Sequence, residues 1–114
     1  MIERWQEKRK FPRVPLKVEL QCQIRGINQS NRAITNDIGL GGLSFTNEGF
    51  IPTDTLLNLE IRLLSKTLST TAKTVRVILL PFSDRYNFGV EFTDLDTKQR
   101  DYLEDYLNMR LGNI

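Results

Sequence analysis

Leu16-Lys17-Val18-Glu19-Leu20-Gln21-Cys22-Gln23-Ile24-Arg25 alternates apolar and polar residues without a break. Successive side chains of an extended chain point to opposite faces, so this period of two predicts a half-buried antiparallel strand. Leu16, Val18, Leu20, Cys22 and Ile24 form its inward face. The same period recurs at Leu57, Leu59, Ile61 and Leu63, at Val75, Val77 and Leu79, and at Phe88, Val90 and Phe92. Leu43 and Phe45 open a shorter run behind Gly41-Gly42, and residues 31–37 hold a less regular one. Turn residues separate these runs at Gly26 to Asn31, Asn47-Glu48-Gly49, Ile51 to Asp54, Ser65 to Thr70 and Pro81 to Arg85. Short strands in succession with no helix between them predict an all-β barrel or sandwich.

The last segment changes period. Asp96 followed three residues later by Gln99 predicts a capping box, and Tyr102, Leu103, Tyr106, Leu107 and Leu111 recur at helical spacing until Gly112. One C-terminal amphipathic helix therefore closes the barrel. Its apolar stripe serves equally well to pair with a second subunit, so a monomer and a homodimer are both open.

Composition narrows the function. The 114 residues allow one core, and 39% hydrophobic with 26% charged residues is a globular mixture. No run approaches the roughly 20 apolar residues of a membrane helix, and Met1 to Trp5 lack the apolar segment of a signal peptide, so no membrane insertion and a cytoplasmic location are expected. One cysteine, Cys22, and no histidine exclude an internal disulfide, a Cys-His zinc cluster and a Ser-His-Asp triad. No catalytic residue and no metal site are assigned, and the protein is not expected to be an enzyme. Sixteen basic against 14 acidic residues are too balanced to coat nucleic acid by charge alone. Phe45, Phe88 and Phe92 fall on inward phases, which removes the aromatic platform that single strands stack on. No DNA or RNA partner is expected.

Two segments carry candidate chemistry. Residues 1–13 have no alternating pattern and hold Arg4, Lys8, Arg9, Lys10 and Arg13 against Glu3 and Glu7, a net of +3. Phe11 and Val14 each precede a proline and are biased toward extended backbone. Residues 1–13 thus read as a flexible basic arm, either a solvated tail or an anion clamp, and residues 14–114 as the barrel with its helix. A guanidinium fork matches phosphate oxygens and the O6/N7 edge of guanine. The second segment, Asn36-Asp37-Ile38-Gly39-Leu40-Gly41-Gly42, is either a glycine turn using positive φ or a ligand loop. In the latter case the Asp37 carboxylate, an acceptor only, suits the N1–H and N2–H donors of guanine.

Taken together, Arg9-x-x-x-Arg13, Asp37-x-Gly39-x-x-Gly42 and Gly89-Val90-Glu91-Phe92-Thr93-Asp94 before a terminal helix resemble the PilZ domain family from about Lys8 to Leu111. The resemblance implies a single-domain, six-stranded antiparallel β-barrel that binds the bacterial second messenger cyclic di-GMP. It implies that Arg9 and Arg13 grip phosphates and guanine Hoogsteen edges, that Asp37 holds a guanine Watson–Crick edge, and that Gly42 lets the loop turn against the ligand. Lys8 and Lys10 would add phosphate attraction without a bidentate fork. The family signature has serine where this chain has Gly39. A receptor that orders its arm around the ligand, reshapes a surface near Trp5 and Phe11, and signals to a protein partner in motility or exopolysaccharide regulation is the reading that follows. The alternative is a PilZ-like interaction module with weak or no nucleotide binding.

Overall fold

The computed structural model describes residues 13–111. Among them, seven strands precede one helix: β1 (Arg13–Pro15), β2 (Glu19–Ile24), β3 (Ser30–Gly39), β4 (Gly42–Asn47), β5 (Leu56–Leu63), β6 (Lys66–Leu79), β7 (Tyr86–Phe92) and α1 (Thr97–Leu111). All pairings are antiparallel, in the order β1-β3-β2-β5-β6-β7-β4, and β4 returns to pair with β3. That last pairing closes β2 to β7 into a six-stranded barrel and removes its open edges. β1 is the extra strand. It lies against residues 37–39 of β3, in line with β2, which holds residues 30–34 of the same strand.

The inward phases fill the barrel. Leu20, Cys22, Ile38, Leu43, Phe45, Leu57, Leu59, Ile61, Leu63, Phe88 and Val90 are buried in one cluster, and the Phe45 and Phe88 rings sit 5.3 Å apart. The alternation that predicted one strand from Leu16 is interrupted. Residues 16–18 form a bulge between β1 and β2, because four steps from Pro15 to Glu19 face three steps from Asp37 to Ile34. The fully buried Thr35 repairs the gap: its hydroxyl accepts from the Val18 amide (2.9 Å) and donates to the Leu16 carbonyl (2.7 Å).

Two further sequence expectations need correction. The loop expected at Ser65 to Thr70 is a two-residue hairpin at Leu64-Ser65, since Leu63 pairs with Lys66 and β6 runs on from there. Val75, Val77 and Leu79 do not share an inward face. The register of β6 on β7 slips between Thr74 and Arg76, so Leu68, Thr70, Ala72 and Thr74 face inward before the bulge and Val77 packs on the core after it; Val75, in the bulge, is 45% exposed, and Leu79, in phase with Val77 but at the end of the strand, is 57% exposed. An extra residue on one strand inverts the facing of everything beyond it.

The helix starts where the capping box predicts. Asp96 Oδ1 accepts from the Gln99 amide (2.8 Å), and Gln99 Oε1 accepts from the Asp96 amide (3.2 Å). Gln99 also donates to the Ser69 carbonyl (2.6 Å), which ties the first turn to β6. Leu103, Tyr106 and Leu107 are buried against the barrel, whereas Leu111, at the end of the same stripe, is exposed. The apolar face of α1 is thus largely covered within the chain.

Candidate ligand-binding site

Strand β3 positions the candidate site through two irregularities. On one side the Thr35 bulge brings the chain back into register so that Arg13, Val14 and Pro15 pair with Gly39, Ile38 and Asp37. On the other side the β3–β4 register slips between Thr35 and Asp37, leaving Asn36 as the extra residue. Its side-chain Nδ2 donates to the Thr46 hydroxyl (3.1 Å). Thr35 and Ile38 consequently both face the core, and Asp37 turns outward beside Ser44.

Arg13, read from sequence as the last residue of the arm, is the first residue of β1. Its side chain is only 7% exposed. One guanidinium nitrogen lies 3.4 Å from Asp37 Oδ1, and the other donates to the Val90 carbonyl at 3.3 Å. Charge-assisted hydrogen bonds ordinarily measure about 2.7 to 2.9 Å, so the Arg13–Asp37 contact is a loose ion pair that holds direction without a tight fork. Asp37 itself is part-exposed. The cation that is expected to meet phosphate and the carboxylate that is expected to meet guanine are therefore neighbours, poised at one place on the outer face.

Gly42 makes this approach possible through size. Its φ lies outside the left-handed region, contrary to a turn glycine, but a methyl built on it would overlap the Val90 carbonyl oxygen and stand 3.0 Å from the Arg13 guanidinium. Gly39 is buried at the end of β3, across the two-residue Leu40-Gly41 turn from Gly42. The structure thus brings together Arg13, Asp37, Gly39 and Gly42. Arg9, Lys8 and Lys10, with Trp5 and Phe11, lie outside the described residues.

Sequence reasoning missed the Val90 carbonyl as the anchor of Arg13, and Ser44 as the outward neighbour of Asp37. Backbone acceptors carry no residue signature, and Ser44 became legible only once the Asn36 bulge fixed the register. Cys22 lies on the inward face of β2, and burial raises its thiol to about 11, in keeping with a small core residue. Among the described residues there is no group of three or more acidic, cysteine or histidine side chains that could hold a metal ion, and no helix is long and apolar enough to cross a membrane.

Comparisons with known proteins agree on the architecture. The structure of the Bacillus subtilis inhibitor of motility MotI/DgrA is similar with a TM-score of 0.80 at 20% identity, over 94% of this chain and 53% of that one. The K. pneumonia MrkH–c-di-GMP complex gives 0.77 at 19% identity, over 92% and 52%. YcgR from Escherichia coli in complex with c-di-GMP gives 0.78 at 12%, over 93% and 47%. The chain spans about half the length of these three proteins. No curated protein matches it in sequence. The family model described as PilZ domain matches residues 7–109 and so takes in both candidate segments and the helix. With the barrel closed, the helix docked and Arg13, Asp37 and Gly42 in one place, the chain belongs to the PilZ domain family.

Proposed function

We propose that this domain is a cyclic di-GMP receptor that binds the messenger between Arg9 and Arg13 on one side and the Asp37 to Gly42 loop on the other. The observation that carries this reading is the placement of the Arg13 guanidinium 3.4 Å from Asp37 and directly over Gly42. A guanine needs an acceptor pair for N1–H and N2–H and a donor fork for a phosphate or the O6/N7 edge, and these two side chains supply both. MrkH and YcgR, whose structures resemble this one, were solved with c-di-GMP. Asp37 accepts from the base, Arg13 donates to a phosphate, and Arg9 closes from the arm with Lys8 and Lys10 adding long-range attraction.

Binding couples to signalling through the arm. A ligand gripped at once by Arg9 and by the barrel loop orders the basic arm over one end of the barrel, and a protein partner that recognises one of the two states receives the signal. The domain acts as a binding effector in the cytoplasm, without catalysis and as a monomer or homodimer, and motility or exopolysaccharide regulation is the process that it serves. Gly39, which lacks the family serine's hydroxyl, sets a weaker affinity. It also defines the competing reading, an interaction module that has lost its ligand.

Isothermal titration with cyclic di-GMP, with GTP and cyclic di-AMP as controls, decides between them. The receptor reading expects saturable, guanine-selective binding that is lost in both Arg13→Ala and Asp37→Ala. Absence of heat at high micromolar ligand refutes it and favours the interaction module.

A further inference from the structure

The strand registers define a row across the outer face of the barrel. Asp37 of β3 lies opposite Ser44 of β4, Ser44 opposite Gly89 of β7, and Gly89 opposite Arg76 of β6. Their chain neighbours Ile38, Leu43, Phe45, Phe88 and Val90 are buried and Val77 packs on the core, so all four share the outward phase of the sheet, with Arg76 exposed, Asp37 part-exposed, and Ser44 and Gly89 buried. The bulge at Val75 is what sets Arg76 in this row. Its guanidinium is laid over Gly89: a Cβ built on that glycine would stand 3.3 Å from Arg76 Cζ and from one of its terminal nitrogens. Arg76 is exposed, and its side chain makes no hydrogen bond or ion pair among the described residues.

We propose that Arg76 reads the second guanine of the cyclic dinucleotide at its O6/N7 edge, an inference that rests on the receptor reading above. Strands are spaced roughly 4.8 Å apart, which puts a guanidinium over Gly89 about 10 Å from the strand of Asp37. Arg13 and Asp37 serve one half of a ligand that has two. The residues between them and Arg76 are small and buried, Gly42, Ser44 and Gly89, with the Arg13 guanidinium laid over Gly42 and that of Arg76 over Gly89, so that a flat ligand half meets the two donor forks rather than bulky side chains. A planar donor fork fits the two acceptors of guanine and is mismatched to adenine, whose N6 is a donor.

The mixed ligand 3′,3′-cyclic GMP–AMP isolates this contact, because it offers one guanine to Asp37 and an adenine to Arg76. Isothermal titration of the wild type is expected to show cyclic di-GMP binding more tightly than the mixed ligand. Arg76→Ala should weaken cyclic di-GMP about ten- to hundredfold and leave the mixed ligand within about twofold, with an unchanged melting temperature. Arg76→Lys, which keeps the charge and loses the fork, should keep the weakened preference. An equal loss for both ligands in Arg76→Ala, or no loss for either, overturns the role of Arg76 while leaving the receptor reading intact. A wild type that binds neither ligand overturns the receptor reading and this one with it.

Discussion

Replacing Gly42 by alanine adds one methyl group to the outer face of β4, where the Val90 carbonyl oxygen already occupies its space and the Arg13 guanidinium stands 3.0 Å away. The guanidinium is the end of a flexible side chain and can retreat, but the carbonyl belongs to β7, which is paired residue for residue with β4 from Gly42–Glu91 to Asn47–Tyr86. Relief therefore requires the first pairs of that ladder to separate, and Arg13 to give up its 3.3 Å bond to the same carbonyl. Overpacking of this kind costs about 1 to 3 kcal/mol. For a domain of this size that is roughly 4 to 12 °C in melting temperature. Calorimetry on Gly42→Ala beside Gly49→Ala checks the argument, since a Cβ at Gly49 meets only Asn47 Nδ2 at 3.9 Å and should change little. If Gly42→Ala melts within about 1 °C of the wild type, while Arg13→Ala behaves as expected in ligand titration, the steric account of this glycine is wrong.

Thr35→Val keeps the volume but strips both the Val18 amide and the Leu16 carbonyl of their buried partner, so urea denaturation should show a loss of about 2 to 4 kcal/mol; a loss below about 0.5 kcal/mol counts against the Thr35 brace. Gly39→Ser restores the hydroxyl of the family signature and should tighten cyclic di-GMP binding about tenfold or more by titration, whereas unchanged or weaker binding argues that the loop backbone does not present that position to the ligand. Burial raises the Cys22 thiol from 9.0 to about 11, so the folded protein favours the neutral thiol more than the unfolded chain does. The stabilisation from this group is complete below pH 9 and is lost as pH rises toward 11, amounting to about 2 to 3 kcal/mol. Denaturation of wild type and Cys22→Ser compared across pH 8 to 11 should show the wild type losing more; parallel curves refute it.

The barrel was legible because its core strands keep strict alternation. Leu57, Leu59, Ile61 and Leu63 all fall inward as the pattern predicts, and Asp96 with Gln99 forms the reciprocal cap that their spacing suggests. The β6 strand was harder because its inward set before the bulge, Leu68, Thr70, Ala72 and Thr74, is half threonine. Buried hydroxyls such as that of Thr74, which donates to the Pro52 carbonyl (2.6 Å), look polar in sequence yet are fully satisfied inside. The bulges at Asn36 and Val75 were invisible because a bulge is decided by the partner strand, and no local window contains that partner. For the candidate site, Arg13, Asp37, Gly39 and Gly42 were found from spacing and family resemblance. The Val90 carbonyl and the Asp37-Ser44-Gly89-Arg76 row depend on registers between strands distant in sequence.

Anchoring Arg13 to β3 and to the Val90 carbonyl also fixes a tether length. Four peptide units separate Arg9 from Arg13, so the two Cα atoms stand no more than about 14 Å apart whatever path the chain takes. On the receptor reading proposed above, a side chain confined to so small a volume meets a ligand seated at Asp37 at an effective concentration in the millimolar range or above. On that reading the second arginine is recruited as an intramolecular event. Its contribution depends on where the chain is pinned, and loosening β1 would dilute Arg9 in addition to displacing Arg13.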